Sequence, residues 1–382
     1  MNLKSRTPEM IALLKKLAET ESPTNDKKAV DRVGAILAEA SRNLGAKLAF
    51  HPQEKRGDHI VAKWGSPHPQ SLPRWEMEAK GGILLLGHMD TVFPLGTLKT
   101  MPFYEKDEKI FGPGVLDMKA GLVIGLTAIA ALKEAGEMPK RPVTFLFTSD
   151  EEVGSQTSRG LIEELAAEAE LVLVLEAALL DGSLKTWRKG VGDFTVRTHG
   201  RAAHAGGAHA EGRNAIEEMA HQILAIQKMT DYEKETTLNV GEICGGTTRN
   251  VVPEFAQIEI DLRVLQPGEY ERVEKEMHAL RPVLDGTSLE VIGELNRPPM
   301  PYDEQMQRTF VKAQMIAKSI GVDIKAGGTG GASDANFVSP LGIPVLDGLG
   351  AVGEGLHSSR EFLFKESLVE KASLVAALIR EW

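Results

Sequence analysis

Apolar residues recur along this chain in two rhythms. Spacings of three and four over 8–20 and 26–44 predict amphipathic helices, the first entered through Thr7-Pro8 and the pair followed by short strands at KLAFH and HIVAKW. GILLLGH, VTFLFTS and LVLVLEA are unbroken apolar runs of strand length, the pattern of strands covered on both faces. Residues 117–135, apolar on almost every turn, predict a buried helix stopped by Gly136 and Pro139, and 158–170 predict another. Strand, helix, strand, helix, strand in this order predicts a doubly wound, mostly parallel sheet.

The rhythm changes near residue 187. WRKGVGDFTVRTHG, TTLNVGEICGG, FAQIEIDLRV and SLEVIGEL carry the alternation of half-buried antiparallel strands, with helical patterns at 213–229 and 268–282 between them. The order β-α-β-β-α-β is that of a ferredoxin-like unit. The α/β pattern then resumes with a helix at 302–320, the glycine-rich turn GGTGGASDA, the strand IPVLDGL and a last helix near 365–381. The expected architecture is therefore α/β with two domains. A large domain is formed by 1–186 and 298–382, and a small ferredoxin-like domain is inserted at 187–297. Residues 65–82, with three prolines and no period, are expected to form a surface loop.

Composition narrows the classes. The chain has 382 residues and a net charge of -10, with no Lys/Arg-rich block, which argues against a nucleic-acid binder. The single cysteine, Cys244, rules out an intrachain disulfide and is compatible with the cytoplasm, the expected location. No stretch reads as a signal peptide or a membrane span.

Candidate chemistry gathers where a parallel sheet exposes it, beyond the carboxyl ends of its strands. His88 and Asp90 follow one predicted strand, Asp150-Glu151-Glu152 the next and Glu176 the third. Asp117 opens the buried helix after a Gly-Pro-Gly turn, and His357 lies in the glycine-rich GEGLHSS. Three adjacent carboxylates at the end of a buried strand repel one another unless cations offset them. Imidazole and carboxylate ligands suit zinc, and also cobalt, manganese or nickel. One cation cannot use every group and keep an open position. Two sharing a bridging carboxylate can, leaving one glutamate for proton transfer.

These motifs resemble the M20 metallopeptidases. GHMDTV, GPGVLDMKAG, TSDEEVGS, the strand-ending Glu176, HAGG, GGTTRNVVP and LHSS match in seven separated blocks across nearly the whole chain. HMDTVFPLGTL and the final loop look most like the glutamate carboxypeptidase branch, the carboxypeptidase G type. The resemblance implies that His88, Asp117 and Glu176 hold one zinc, and that Asp117, Glu152 and His357 hold the other. Asp117 is then the bridge, Glu151 the general base, and Asp90 the carboxylate that orients His88. It further implies that the inserted domain serves as lid and dimerisation domain of a homodimer, with His204 reaching the partner's active site to stabilise an oxyanion. Asn250, Arg263 and Arg297 look like substrate contacts, and Gly330 and Gly331 like a backbone cradle for a carboxylate. His199 and His209 flank His204 at spacings that suit no regular structure, and only His204 fits the family pattern. Asp150 is expected to be a structural residue of its turn.

The expected function is hydrolysis of an amide bond beside a free C-terminal carboxylate, with glutamate as the released residue of a small peptide or N-acyl conjugate. A dipeptidase, an aminoacylase or another N-acyl-amino-acid amidohydrolase is the near alternative. A non-catalytic binding protein on this fold is the distant one, disfavoured because Glu151 and every expected ligand are present. The expected cofactor is a pair of divalent cations, zinc with cobalt or manganese as alternatives. The longer glycine block and the 65–82 loop depart from the branch's pattern and bear on substrate identity.

Overall fold

The computed structural model describes residues 3–65 and 81–382, so the expected loop at 65–82 lies, except for its ends, outside the described residues. The chain divides into two compact units. One comprises Met1–Trp187, Tyr302–Thr329 and Ser333–Trp382; the other comprises Arg188–Pro301 with Gly330–Ala332.

The first unit is built on a six-stranded sheet. Its order is Lys47–His51, His59–Trp64, Val143–Thr148, Gly82–His88, Ala169–Val174 and Val345–Leu346. The last four run parallel, while the first two form an antiparallel margin. Leu84, Leu85 and Leu86 are all buried, as expected of a central strand with helices on both faces. One of those helices, Ala120–Glu134, is buried along almost its whole length and packs in the same core as Lys365–Glu381. The segment Val115–Glu134 is long and apolar enough to cross a membrane, contrary to the sequence expectation that none is, yet 89% of its apolar 18-residue window is buried inside the protein, as a core helix is. Gly121 and Gly125 let it press onto the sheet: a Cβ at Gly121 would lie 2.0 Å from the Leu175 carbonyl oxygen, and one at Gly125 would lie 2.6 Å from the Phe145 ring.

Helical structure does not begin where periodicity suggests. Val115–Lys119 is a wide, irregular turn in which Asp117 is extended (φ -115°, ψ 96°), and regular helix starts at Ala120. A small antiparallel sheet borders this turn, in the order Gly353–Glu354, Phe362–Phe364, Lys109–Phe111 and Tyr104–Lys106. Strands of two or three residues are too short to show a period, so the sequence does not reveal them.

The second unit has a four-stranded antiparallel sheet in the order Thr237–Gly245, Phe255–Val264, Gly190–His199, Ser288–Arg297. Taken along the chain these are strands two, three, one and four, with helices Ala215–Gln227 and Glu269–Ala279 in the two crossover connections. This is the ferredoxin-like arrangement. Phe194, Val196, Ile258, Ile260, Met219 and Met277 fill its core. Asn214 caps the first helix by accepting from the amides of Ile216 and Glu217.

Candidate metal centre

His88 is the last residue of Gly82–His88 and is 1% exposed. Its Nδ1 lies 3.0 Å from the Asp90 carbonyl oxygen and 3.4 Å from Asp90 Oδ1, so one residue orients the ring through both backbone and side chain. Its Nε2 lies 3.2 Å from Asp117 Oδ1 and 3.4 Å from Glu176 Oε1. On the other side of Asp117, His357 Nε2 lies 3.1 Å from Oδ2 and 3.2 Å from Glu152 Oε2. Two triads thus share one aspartate, each using a different oxygen of it. Each imidazole turns its Nε2 toward two carboxylates.

Glu151 stands beside the first triad, with a carboxylate oxygen within 4.8 Å of the donor atoms of His88 and Glu176. Asp90, buried at its side chain, accepts from Thr24 Oγ1 at 2.8 Å and from the amides of Glu151 and Glu152 at 3.4 and 3.3 Å. It therefore orients the ring and the glutamate turn together. Asp150 is fully buried and points elsewhere, accepting from the backbone N–H and hydroxyl of Thr157 at 2.6 and 2.8 Å.

Electrostatics follow from so many carboxylates around two imidazoles. Burial alone would lower the His88 pKa, but Asp117, Asp90 and Glu176 hold it well above the usual value. Hydrogen bonds to Asp117 and Glu152 push His357 up to about 11. Asp117 is held low against its burial by both histidines. Burial, aided by the negative charges of Asp117 and Asp90, pushes Glu152 up to about 7.

The residues fit a pair of cations. His88 Nε2 and Glu152 Oε1 are buried without a hydrogen bond, which is expensive in a protein interior unless another partner occupies the position. Donors about 2.1 Å from a tetrahedral cation stand about 3.4 Å apart, close to the N···O separations above. Among the described residues, the donor atoms of His88, Glu151 and Glu176, and those of His88, Asp117 and Glu152, lie within 4.8 Å of one another, overlapping both triads. His199 and His209 belong to neither group.

The remaining expected site residues all fall in the second unit. His204 lies on the short strand Ala203–His204, paired with Val251–Val252, and the Ala205 amide donates to the Asn250 carbonyl at 3.0 Å. The amides of Gly206 and Gly207 donate to His204 Nδ1 at 3.1 and 3.0 Å, which assigns the ring proton to Nε2. Arg263 is forked onto Asp261, Nε to Oδ1 at 2.8 Å and Nη2 to Oδ2 at 2.7 Å, and reaches the Gly330 carbonyl at 3.5 Å. Arg297 ends its strand, 6% exposed, opposite Val191. Gly331 gives its carbonyl oxygen to Arg188 at 3.0 Å, and Ala332 does so at 3.1 Å.

Two residues in this picture carried no functional signal in the sequence. Arg188, 3% exposed, grips the glycine-rich turn from 143 residues away in sequence. Glu361 is fully buried and accepts from the amides of Gly114, Leu116 and Asp117. Burial pushes its pKa up to about 7 against those three donors. The only sequence hint of Glu361 is its place four residues after His357.

Residues 84–381 match the profile of peptidase family M20/M25/M40. Carboxypeptidase G2 of Pseudomonas sp. (strain RS-16) is 30% identical over 386 residues, covering 98% of this chain and 89% of that protein. The solved aminopeptidase PepT of Bacillus cereus ATCC 10987 superposes with a TM-score of 0.80 at 25% identity, covering 98% of each chain. An M20 family metallo-carboxypeptidase, Sso-CP2 of Sulfolobus solfataricus, shares the fold at a TM-score of 0.76 and 17% identity, covering 97% of this chain and 98% of that one.

Proposed function

Because the chain belongs to peptidase family M20/M25/M40 and is a hydrolytic metallopeptidase, we propose that it is a dinuclear zinc carboxypeptidase that releases C-terminal glutamate from small peptides or N-acyl conjugates. The observation that carries the metal reading is the pair of imidazole–carboxylate triads sharing Asp117. His88, Asp117 and Glu176 would hold one cation; Asp117, Glu152 and His357 would hold the other. The preference for glutamate is supported by the 30% identity to Carboxypeptidase G2. A reading as an aminopeptidase is supported by the 25% identity to the aminopeptidase PepT.

When bound, the cations supply Lewis acidity to the scissile carbonyl and to water. Glu151 accepts a proton from the attacking water on a carboxylate oxygen and returns it to the leaving nitrogen as the C–N bond breaks. The products are a carboxylate and a free amine. Asp90 keeps the His88 ring and the Glu151 amide in register. His204, with its proton on Nε2, donates a hydrogen bond to the developing oxyanion, in a homodimer formed through the second unit. Arg263, with Arg297 and the Gly330-Gly331 turn, would receive the substrate's terminal carboxylate, and Asn250 its carbonyl.

Bound zinc per chain and turnover of dipeptides and N-acyl amino acids ending in Glu, Asp, Ala, Leu or Arg test the proposal together. Near two zinc ions with preference for Glu is the expected result, and preference for another residue moves the substrate assignment. E151Q should keep its cations and lose about 10²–10⁴-fold in kcat. Wild-type turnover by E151Q would remove Glu151 from the mechanism.

A further inference from the structure

The chain approaches Asp117 from two directions that no local pattern links. Lys109–Phe111 leads into the Gly112–Gly114 turn and the irregular Val115–Lys119 segment, while His357 is followed by the turn that leads into Phe362–Phe364. Phe362 pairs with Phe111, so both segments leave the small sheet at the same point. Glu361 sits at that point, fully buried. Its Oε1 accepts from Leu116 N at 2.7 Å and Asp117 N at 3.0 Å, and its Oε2 accepts from Gly114 N at 3.1 Å.

Those amides need a partner from outside. Residues just ahead of a helix have N–H groups with no intrahelical acceptor. The extended conformation of Asp117 is what directs its two carboxylate oxygens to His88 and His357. A carboxylate accepting three backbone N–H bonds holds such a segment by charge-assisted hydrogen bonds. The same residue lies four positions after His357, at the end of the turn that presents that imidazole.

We propose that Glu361 is a positioning residue of the metal centre, fixing the backbone of the shared ligand Asp117 and locking it in register with His357. The inference rests on the metal-centre reading above for its function and on the three amide contacts for its geometry. Glu361 itself touches neither substrate nor a cation in this role; it acts through Asp117. A residue with only a packing role would lower stability when replaced and leave the cation affinity of the folded protein unchanged.

The test compares full-length wild type with E361Q and E361A. E361A removes all three acceptor contacts. E361Q keeps the shape and one acceptor oxygen but turns an NH₂ group toward an N–H donor. Amide hydrogen exchange on metal-free protein should show Gly114, Leu116 and Asp117 protected in wild type, less so in E361Q and unprotected in E361A, with the helix Ala120–Glu134 still protected. Calorimetric zinc titration should show affinity about 10–100-fold weaker in folded E361Q, the range known for residues that support metal ligands from behind. Unchanged exchange at these amides in E361Q, or unchanged zinc affinity, overturns the proposal. If E361A does not fold, E361Q alone decides. A wild type that binds no zinc overturns both the metal-centre reading and the function assigned to Glu361, while the exchange data separately decide whether Glu361 holds the loop.

Discussion

Two glutamates show how far environment outweighs residue type. Glu152 has negative neighbours, and burial pushes its pKa up to about 7. Glu269 has positive ones: Arg272 at 2.7 Å and Lys234 at 3.0 Å, joined by the Thr236 hydroxyl at 2.9 Å, bring its pKa down to about 2. A carboxylate depressed from its usual 4.5 stabilises the fold above that pH and loses this contribution as pH falls toward 2. E269Q should therefore be less stable than wild type at pH 7, by about 1–3 kcal/mol for a hydrogen-bonded charge. The gap should close as pH falls from 4.5 toward 2. Denaturant midpoints of both proteins at pH 7, 4 and 2.5 check this, and a gap that persists at the lowest pH would contradict it. Glu152 was legible in the sequence because it ends a buried strand. Glu269 was not, because two of its three partners lie 33 and 35 residues away.

The buried helix Ala120–Glu134 shows the same limit at the next scale. Its apolar residues predicted its existence, but its start was predicted three residues early, at 117. Val115, Leu116 and Met118 carry the apolar, buried pattern up to the helix, so burial does not mark the break. Asp117 leaves helical conformation where its carboxylate meets two imidazoles and its amide donates to a carboxylate 244 residues away in the chain. Glycine inside the helix has an equally non-local cause. On an exposed helix Gly→Ala gains up to about 1 kcal/mol. At Gly121 a methyl group would collide with the Leu175 carbonyl, and G121A should instead lose about 1–3 kcal/mol through overpacking. A urea midpoint at or above that of wild type would refute the close approach of helix and strand.

At the scale of the whole molecule, every expected metal ligand belongs to the first unit, although the ligands run from His88 to His357. Cation binding is thereby linked to the stability of that unit. A ligand at 100 times its Kd stabilises the state that binds it by about 2.7 kcal/mol. Chelation should lower amide protection in the Gly82–His88 and Val143–Thr148 strands and leave the Gly190–His199 and Phe255–Val264 strands unchanged. Equal loss in both units would show that they unfold together and that the linkage is global.

The sequence by itself determined the element order, the mostly parallel sheet, the ferredoxin-like insertion and the strand ends that carry His88, Glu151, Glu152 and Glu176. These properties depend on burial periods and on residue types at fixed local offsets, and both are written along the chain. Tertiary structure alone decided which oxygen of Asp117 faces which histidine, that Arg263 is already forked onto Asp261, and that Gly330–Ala332 packs with the inserted unit. It also assigned Glu361 to the amides of the Asp117 turn. Each of these is a hydrogen bond or packing contact set by the folded geometry, often between residues far apart in sequence. A polar side chain carries no mark of its partner until folding has buried both.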